Sequence, residues 1–137
     1  MNRIGAVVAL TMLCMLTIPA YSSTCSNTTL KGAYSYHDTQ EDPDGTKWYI
    51  VGYLQFDGAG NGRTNWIFHN SNGDIENDQV GLPLTYTVDQ TCTFSFTQQN
   101  GLTFSGVFGN NTNELDYVET TGWQFRRGSA TKVTTQR

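Results

Sequence analysis

Few side chains in this sequence have the chemistry of a catalytic or metal site. His37 and His69 are its two histidines, and histidine is the residue whose ordinary pKa lies nearest neutrality. Alternation of polar and apolar residues puts each on an outward strand face or at a strand end, so we interpret both as surface residues. The sequence supports no Ser–His–Asp or Cys–His order and has no C-x-x-C spacing. We therefore predict neither a nucleophilic triad nor a metal site.

One segment offers an acid–base candidate. Glu114 and Asp116 alternate outward, whereas Glu119 falls on the same face as Leu115 and Tyr117. A carboxyl group that points into an apolar interior has a raised pKa and is suited to act as a general base. Glu119, at the end of its strand, is the residue that fits this description.

Two acidic segments have both an ordinary and a functional interpretation. Asp57–Asn61 is glycine-rich like a calcium loop but lacks the terminal Glu of an EF-hand, so we interpret it as a hairpin turn. Asp38–Thr46 is the longest loop that we predict, and three of its four carboxylates fall within four residues. We interpret it as a solvated loop, with a bound cation as the alternative.

Aromatic side chains are the main candidates for contacting a small ligand. Tyr and Trp combine a large apolar surface with a polar tip, which suits a sugar or lipid pocket. The competing interpretation is that these rings simply fill a small core. The candidate ligand-lining residues are Tyr34, Tyr36, Tyr53, Trp66, Tyr86, Tyr117 and the inward Glu119.

These residues lie in short runs with a period of two, and no window after the N-terminal segment has a helical period. Thr, Tyr, Phe, Trp and Val dominate the runs, as is typical of strands. Gly- and Asn-rich turns separate them. The runs are Leu30–His37, Trp48–Phe56, Thr64–His69, Leu82–Asp89, Thr91–Thr97, Leu102–Phe108, Leu115–Tyr117 and Trp123–Phe125. Ser129–Arg137 has no alternation, and we predict a flexible tail over residues 129–137.

About eight strands with hairpin-length connections predict an all-β fold, an antiparallel up-and-down barrel over residues 23–128. A β-sandwich is the alternative. Closure of the sheet removes exposed strand edges. An eight-stranded barrel is just wide enough to be filled by side chains or to hold one small ligand.

The N-terminal segment predicts export. Arg3, an uncharged run over Ile4–Ile18 and small residues before position 23 are typical of a signal peptide over residues 1–22. Its removal takes away Cys14 and leaves Cys25 and Cys92, which we expect to form one disulfide. The sequence thus predicts a secreted or periplasmic product with no membrane segment after cleavage.

Composition excludes further classes of function. The chain of 137 residues is long enough for one domain, and its net charge is −4, or −5 once Arg3 is removed. Lys and Arg together number only 8, so a surface that tracks phosphates is not expected. We therefore predict no nucleic-acid partner, and no motif for a cofactor is present.

A set of turn and strand signatures resembles a known group of proteins. The order of these signatures is similar to small exported bacterial proteins of unknown function with calycin-like or allene-oxide-cyclase-like barrels. The resemblance covers most of residues 25–127 and implies a fold, with no catalytic residue to carry over. The segments that carry it are Cys25-Ser26, Leu30–Tyr34, Gly52–Asn61, Tyr86–Val88 and Cys92-Thr93.

The calycin resemblance also implies a contact that closes the barrel. In lipocalins an Arg on the last strand stacks on a Trp of the first strand. Here we expect Arg126 or Arg127 to approach Tyr34 or Tyr36, with a cation–π contribution of about 0.5–2 kcal/mol.

Three functions remain open at this point. The leading hypothesis is a barrel that binds a small apolar or amphipathic ligand in its mouth. A second is a protein-interaction module, such as an inhibitor of an exported enzyme. A third is a cyclase or isomerase of the allene-oxide-cyclase type. A filled interior favours surface interaction, and an open cavity that holds Glu119 or a Tyr hydroxyl favours an enzyme.

Overall fold

The computed structural model describes residues 24–70, 75–109, 112–122 and 124–134, so the predicted signal segment lies outside the described residues. After a short 3-10 helix, Asn27–Thr29, the described chain is built of eight strands. No described helix is long and apolar enough to cross a membrane. The strands are β1 Lys31–Glu41, β2 Lys47–Asp57, β3 Asn61–Asn70, β4 Ile75–Val88, β5 Thr93–Gln98, β6 Thr103–Gly109, β7 Glu114–Glu119 and β8 Phe125–Lys132.

Each strand pairs with the next in antiparallel register, and β8 pairs with β1, so the sheet closes on itself. The prediction of an eight-stranded up-and-down barrel is confirmed, and the β-sandwich alternative is wrong. Closure leaves no free strand edge, because the backbone N–H and C=O groups at both ends of the strand order bond to each other. Among the described side chains, alternate positions along the strands therefore point into one shared interior.

Strand β1 extends further than we predicted. Tyr34, Tyr36, Asp38 and Gln40 are buried in strict alternation with exposed neighbours. The loop that follows covers only residues 42–46, so the acidic segment is split between strand and loop. The interpretation of Asp38 as part of a solvated loop is wrong, because pairing with both β2 and β8 continues through its position.

The predicted tail is also partly strand. Ser129–Lys132 belong to β8 and pair with β1 and β7, and Ala130 is buried. The backbone N–H of Val133 donates to the carbonyl of Ala33 at 2.8 Å, which adds one more bond to this edge. Small side chains gave this segment a weak alternation signal, but the last pairing of the barrel depends on it.

The end of the barrel where β1 begins is filled and covered, and we call it the capped end. The rings of Tyr34, Tyr86 and Phe96 each contact Phe56 edge-on, with the Phe56 and Tyr86 centroids 5.0 Å apart. The 3-10 helix covers them, because the Tyr86 hydroxyl donates to the carbonyl of Leu30 at 2.9 Å. Aromatic core packing is therefore what these rings do at the capped end.

The predicted disulfide is confirmed. Cys25 and Cys92 are bonded, with their Cα atoms 5.1 Å apart. The bond ties the segment before the 3-10 helix to the turn between β4 and β5. It thereby holds the cover of the capped end in place and is consistent with an oxidising compartment.

Replacing both cysteines tests how much this disulfide contributes to the stability of the fold. The variant Cys25→Ser/Cys92→Ser should lose about 4 kcal/mol of unfolding free energy, because a loop of about 66 residues is no longer closed in the unfolded chain. Urea unfolding under non-reducing conditions measures the loss. Wild-type protein treated with a thiol reductant should match the variant. A loss below about 1 kcal/mol would contradict the assigned role.

Candidate functional site

A buried ion pair lies in the half of the barrel opposite the capped end, where β1 ends; we call this the polar end. Asp38 and Arg126 are each only 3% exposed. The Arg126 guanidinium donates to Oδ2 of Asp38 from Nε at 2.8 Å and from Nη2 at 2.7 Å. The Tyr117 hydroxyl donates to the other carboxylate oxygen at 2.6 Å. Both oxygens of Asp38 therefore accept hydrogen bonds, one set from the charged Arg126 and one short bond from Tyr117, as a buried carboxylate requires.

A glycine makes this geometry attainable. Gly128 lies between Asp38 and Tyr117 in the sheet, paired with both. A Cβ at Gly128 would occupy the position of the Asp38 carboxylate and crowd the Tyr117 ring. Because β8 has no side chain here, the Tyr117 hydroxyl can reach across it to Asp38.

Six inward residues form a ring around the polar end, which we call the mouth ring. The register puts Gln40 opposite both Trp48 and Arg126, and Glu119 opposite Phe104. Gln98 follows on β5, where its backbone N–H donates to Leu102 at 2.9 Å. The members of the mouth ring are Gln40, Trp48, Gln98, Phe104, Glu119 and Arg126.

Asp42, in the β1–β2 loop, fixes one side of the mouth ring. The amide nitrogen of Gln40 donates to one of its carboxylate oxygens at 2.9 Å, and the indole nitrogen of Trp48 donates to the other at 2.8 Å. A shallow concavity of about 230 Å³ lies beside them on the rim, lined also by Phe125 and Arg127. The polar tips of Gln40 and Trp48 are therefore directed toward this loop.

The other side of the mouth ring carries acceptors that the protein leaves unused. Gln98 is 4% exposed, and its side-chain oxygen accepts no hydrogen bond from the described part of the chain. The same holds for both carboxylate oxygens of Glu119, which are buried against Gly122 of the β7–β8 loop. Such groups are rare in folded proteins and call for a reason.

Burial shifts the titration of the acids here. It raises the pKa of the Glu119 carboxyl, with the Arg126 charge opposing and the Asp38 charge adding to the rise. Burial also raises the pKa of the Asp38 carboxyl, against the opposing effects of Arg126 and the Tyr117 hydroxyl. For Tyr117 and Tyr36, burial raises the phenol pKa, so both hydroxyls are neutral at pH 7.

The candidate ligand-lining residues do not all meet in one place. Tyr34 and Tyr86 are packed in the capped half, where the Tyr34 hydroxyl donates to the carbonyl of Thr112 at 3.0 Å. Burial also raises the pKa of Tyr34 to about 12. Tyr53 is 56% exposed on the outer face of β2, so its placement inside the barrel is wrong. The remaining candidates, Tyr36, Trp66, Tyr117 and Glu119, all point inward.

The barrel-closing arginines divide between the two faces. Arg126 points inward and Arg127 points outward, as neighbours on a strand must. The ring beneath the Arg126 guanidinium is Phe104, at 5.0 Å from the centroid, and the cation over Tyr34 is Lys132, at 5.7 Å. The stacking expected on Tyr34 or Tyr36 is replaced by stacking on Phe104, because the register sets Arg126 opposite Gln40 at the polar end. Arg126 does approach Tyr36, since its charge acts on the Tyr36 hydroxyl.

The outer face also has a groove. A concavity of about 600 Å³ crosses β6, β7, β8 and β1, and the imidazole of His37 lies in it, 3.3 Å from the Ser129 hydroxyl. His37 is exposed, as we predicted, and the side chain of His69 lies outside the described part of the structure. Within the described ranges, no group of three His, Cys, Asp or Glu residues is arranged to hold a metal ion.

Breaking the ion pair from one side tests how the site is held. Arg126→Met should cost about 3–5 kcal/mol of unfolding free energy, because Asp38 is left buried and uncompensated. Asp38→Leu/Arg126→Met should recover most of that loss. Arg127→Met, on the outer face next in sequence, should change stability by no more than about 0.5 kcal/mol. Chemical denaturation measures all three. Equal losses in the single and double variants would refute the pairing.

Because the pKa of Glu119 is raised, the stability of the wild type should depend on pH differently from that of Glu119→Gln. A carboxyl whose folded pKa exceeds the ordinary value of 4.5 stabilises the fold while protonated, and that contribution is lost as the pH rises through the folded pKa. Glu119→Gln should therefore gain stability over the wild type as the pH rises above about 4.5. Thermal melting from pH 4 to pH 8 measures the gap. Glu114→Gln, outward on the same strand, is the control, and parallel wild-type and Glu119→Gln curves would contradict the assignment.

Comparison with solved structures shows that the fold is similar to that of designed β-barrels. No protein-family model and no curated protein matches the chain. A designed fluorescence-activating β-barrel is similar with a TM-score of 0.46 at 9% identity, covering 78% of this chain and 96% of that one. A redesigned barrel, mFAP1 bound to DFHBI, is similar with a TM-score of 0.45 at 14% identity, covering 77% of this chain and 97% of that one. At these values the similarity carries no information on function, and kinship with exported bacterial barrels stays a prediction.

Proposed function

We propose that this protein is an exported β-barrel that binds a small amphipathic molecule through the mouth ring. The observation that carries the proposal is the set of buried, unbonded acceptor atoms on Gln98 and Glu119. They lie on either side of β6, in a closed sheet whose other end is filled. The disulfide supports the exported location, since such bonds persist in oxidising compartments.

The two halves of the barrel interior differ in chemistry. The capped half is filled by contacting aromatic rings and covered by the 3-10 helix, so the described residues of that half leave no entrance. The polar half holds an ion pair, two amides and a carboxyl group within the same sheet. A ligand that enters at the polar end would therefore meet polar atoms around its sides and apolar rings beneath.

The energetic argument concerns the unused acceptors. A buried polar atom without a partner costs roughly 1–3 kcal/mol, and a packed apolar residue in its place would avoid that cost. Gln98 and Glu119 carry three such atoms between them. A ligand that donates hydrogen bonds to them would recover part of this free energy on binding, which explains why polar residues occupy these positions.

Apolar surface lies next to these acceptors. Phe104 separates Gln98 from Glu119 in the ring, and its face supports the Arg126 guanidinium. Leu102 and Trp48 are half-buried and packed against the core at the same end. This mixture of apolar walls with a few placed polar groups is what small-molecule sites commonly show.

A second function is favoured by a different observation. Tyr49, Val51 and Tyr53 on β2 and Ile67 on β3 form an exposed patch on the outside of the barrel. The register puts Val51 directly opposite Ile67, so the patch is continuous across the two strands. Exposed apolar patches with tyrosine are typical of protein-binding surfaces, which supports a protein-interaction module.

Binding of a neutral amphipathic probe tests the proposed function. At a concentration of about 100 times its Kd, 1-naphthalenemethanol should stabilise the oxidised protein by about 2.7 kcal/mol, seen as a rise in melting temperature. Gln98→Met should weaken binding, because it changes the lining of the mouth ring. Thr97→Met, its outward neighbour, should leave binding unchanged. No stabilisation by the probe, or equal effects of the two variants, would count against the mouth as a ligand site.

A further inference from the structure

The charges of the mouth ring do not cancel. Asp38 and Arg126 neutralise each other through contacts of 2.7 and 2.8 Å. Glu119 remains, with no hydrogen-bonding partner in the described part of the chain. The other described cations at this end, Lys47 and Arg127, are exposed, and Lys47 lies 4.0 Å from Glu41. Within the mouth ring, Glu119 is therefore the carboxyl group without an ion-pair partner among the described residues, whereas Asp42 in the neighbouring loop accepts hydrogen bonds from the neutral groups of Gln40 and Trp48.

Donors of the ring are directed to Asp38 and Asp42, whereas three of its buried oxygen acceptors have no hydrogen-bond partner in the described part of the chain. Arg126 donates to Asp38, and the N–H groups of Gln40 and Trp48 donate to Asp42. The atoms left over, one on Gln98 and two on Glu119, are all oxygen acceptors. A ligand that completes this arrangement must bring donors, and a ligand that brings only acceptors would leave the same atoms unpaired.

The surroundings of Glu119 favour a cation over a neutral donor. Its carboxyl group is buried under Gly122 and lies next to Phe104 in the ring. In a site shielded from water, a cation also gains Coulomb attraction to the carboxylate, which a neutral donor lacks. The Arg126 guanidinium does not prevent this, because its charge is already matched by Asp38.

We infer that the small ligand carries an ammonium group. Glu119 binds this group as its counter-ion, and the side-chain oxygen of Gln98 accepts a further hydrogen bond from it. This inference rests on the proposed function, since it names the chemical class of the molecule that enters the mouth ring. The ammonium donates hydrogen bonds to the carboxylate, and its apolar part lies against Phe104, Leu102 and Trp48. Carboxylates and phosphates are the classes that the ring rejects.

Three probes with one apolar body test the inference. They are 1-naphthylmethylammonium, 1-naphthalenemethanol and 1-naphthoate, compared by calorimetry at pH 7 and low salt. The ammonium should bind at least about tenfold more tightly than the alcohol, and 1-naphthoate should bind most weakly. Glu119→Gln should remove that advantage, so that the ammonium binds no more tightly than the alcohol. Glu114→Gln, outward on β7, should behave as the wild type.

The outcomes separate the two proposals. An alcohol that binds as tightly as the ammonium overturns the inference and leaves the proposed function standing. Tightest binding of 1-naphthoate also overturns it. Absence of binding by all three probes overturns both proposals. If Glu119→Gln loses folded structure by melting, Glu119→Asp is used instead, and retention of the tenfold preference for the ammonium over the alcohol then supports the inference.

Discussion

The pairing of β8 with β1 is the interaction on which the rest of the structure depends. It turns a meander of hairpins into a closed sheet and gives every strand an inside and an outside. It also brings Asp38 and Arg126 together, although they are 88 positions apart in sequence. Without that pairing, Asp38 would be an exposed carboxylate near a loop and Arg126 an unpaired cation near the C-terminus.

Closure fixes the size of the interior, and the interior is divided by chemistry. Eight strands enclose little more than side chains, so large rings must face small residues across the sheet. Gly128 between Asp38 and Tyr117 is one example, and Gly52 between Tyr36 and Trp66 is another, where a Cβ would meet the Tyr36 ring. Packed aromatic rings fill the capped half, whereas hydrogen-bonding groups occupy the corresponding space in the polar half.

The barrel itself was predictable from alternation, but the site was only partly so. Strands, turns and the Cys25–Cys92 bond follow from local patterns that a single sequence displays. Asp38 was assigned to a loop because a run of carboxylates usually indicates solvent, although its position continues the alternation of Tyr34 and Tyr36. Its burial depends on a partner from the other end of the chain, which no local pattern reveals.

Other residues show the same division between local and distant causes. Tyr53 shares the outward phase of Tyr49 and Val51, so strand alternation alone would have placed it outside. Ser129–Lys132 gave little signal because small polar side chains suit a tail as well as a strand. Gln98 could be placed inward by the phase of Phe94 and Phe96, but whether its side chain finds a partner depends on the strands that the closed sheet brings around it.

The polar half is better explained by binding than by stability. A buried ion pair contributes little net stability compared with apolar residues of similar size, because desolvation offsets the attraction. Here the pair holds Arg126 against Phe104 and fixes the Tyr117 hydroxyl, and so gives the mouth ring a defined shape. It also leaves the charge of Glu119 only partly offset by Arg126. A barrel selected for stability alone would continue the aromatic packing of the capped half to its other end, and the proposed ligand site lies where that packing is interrupted.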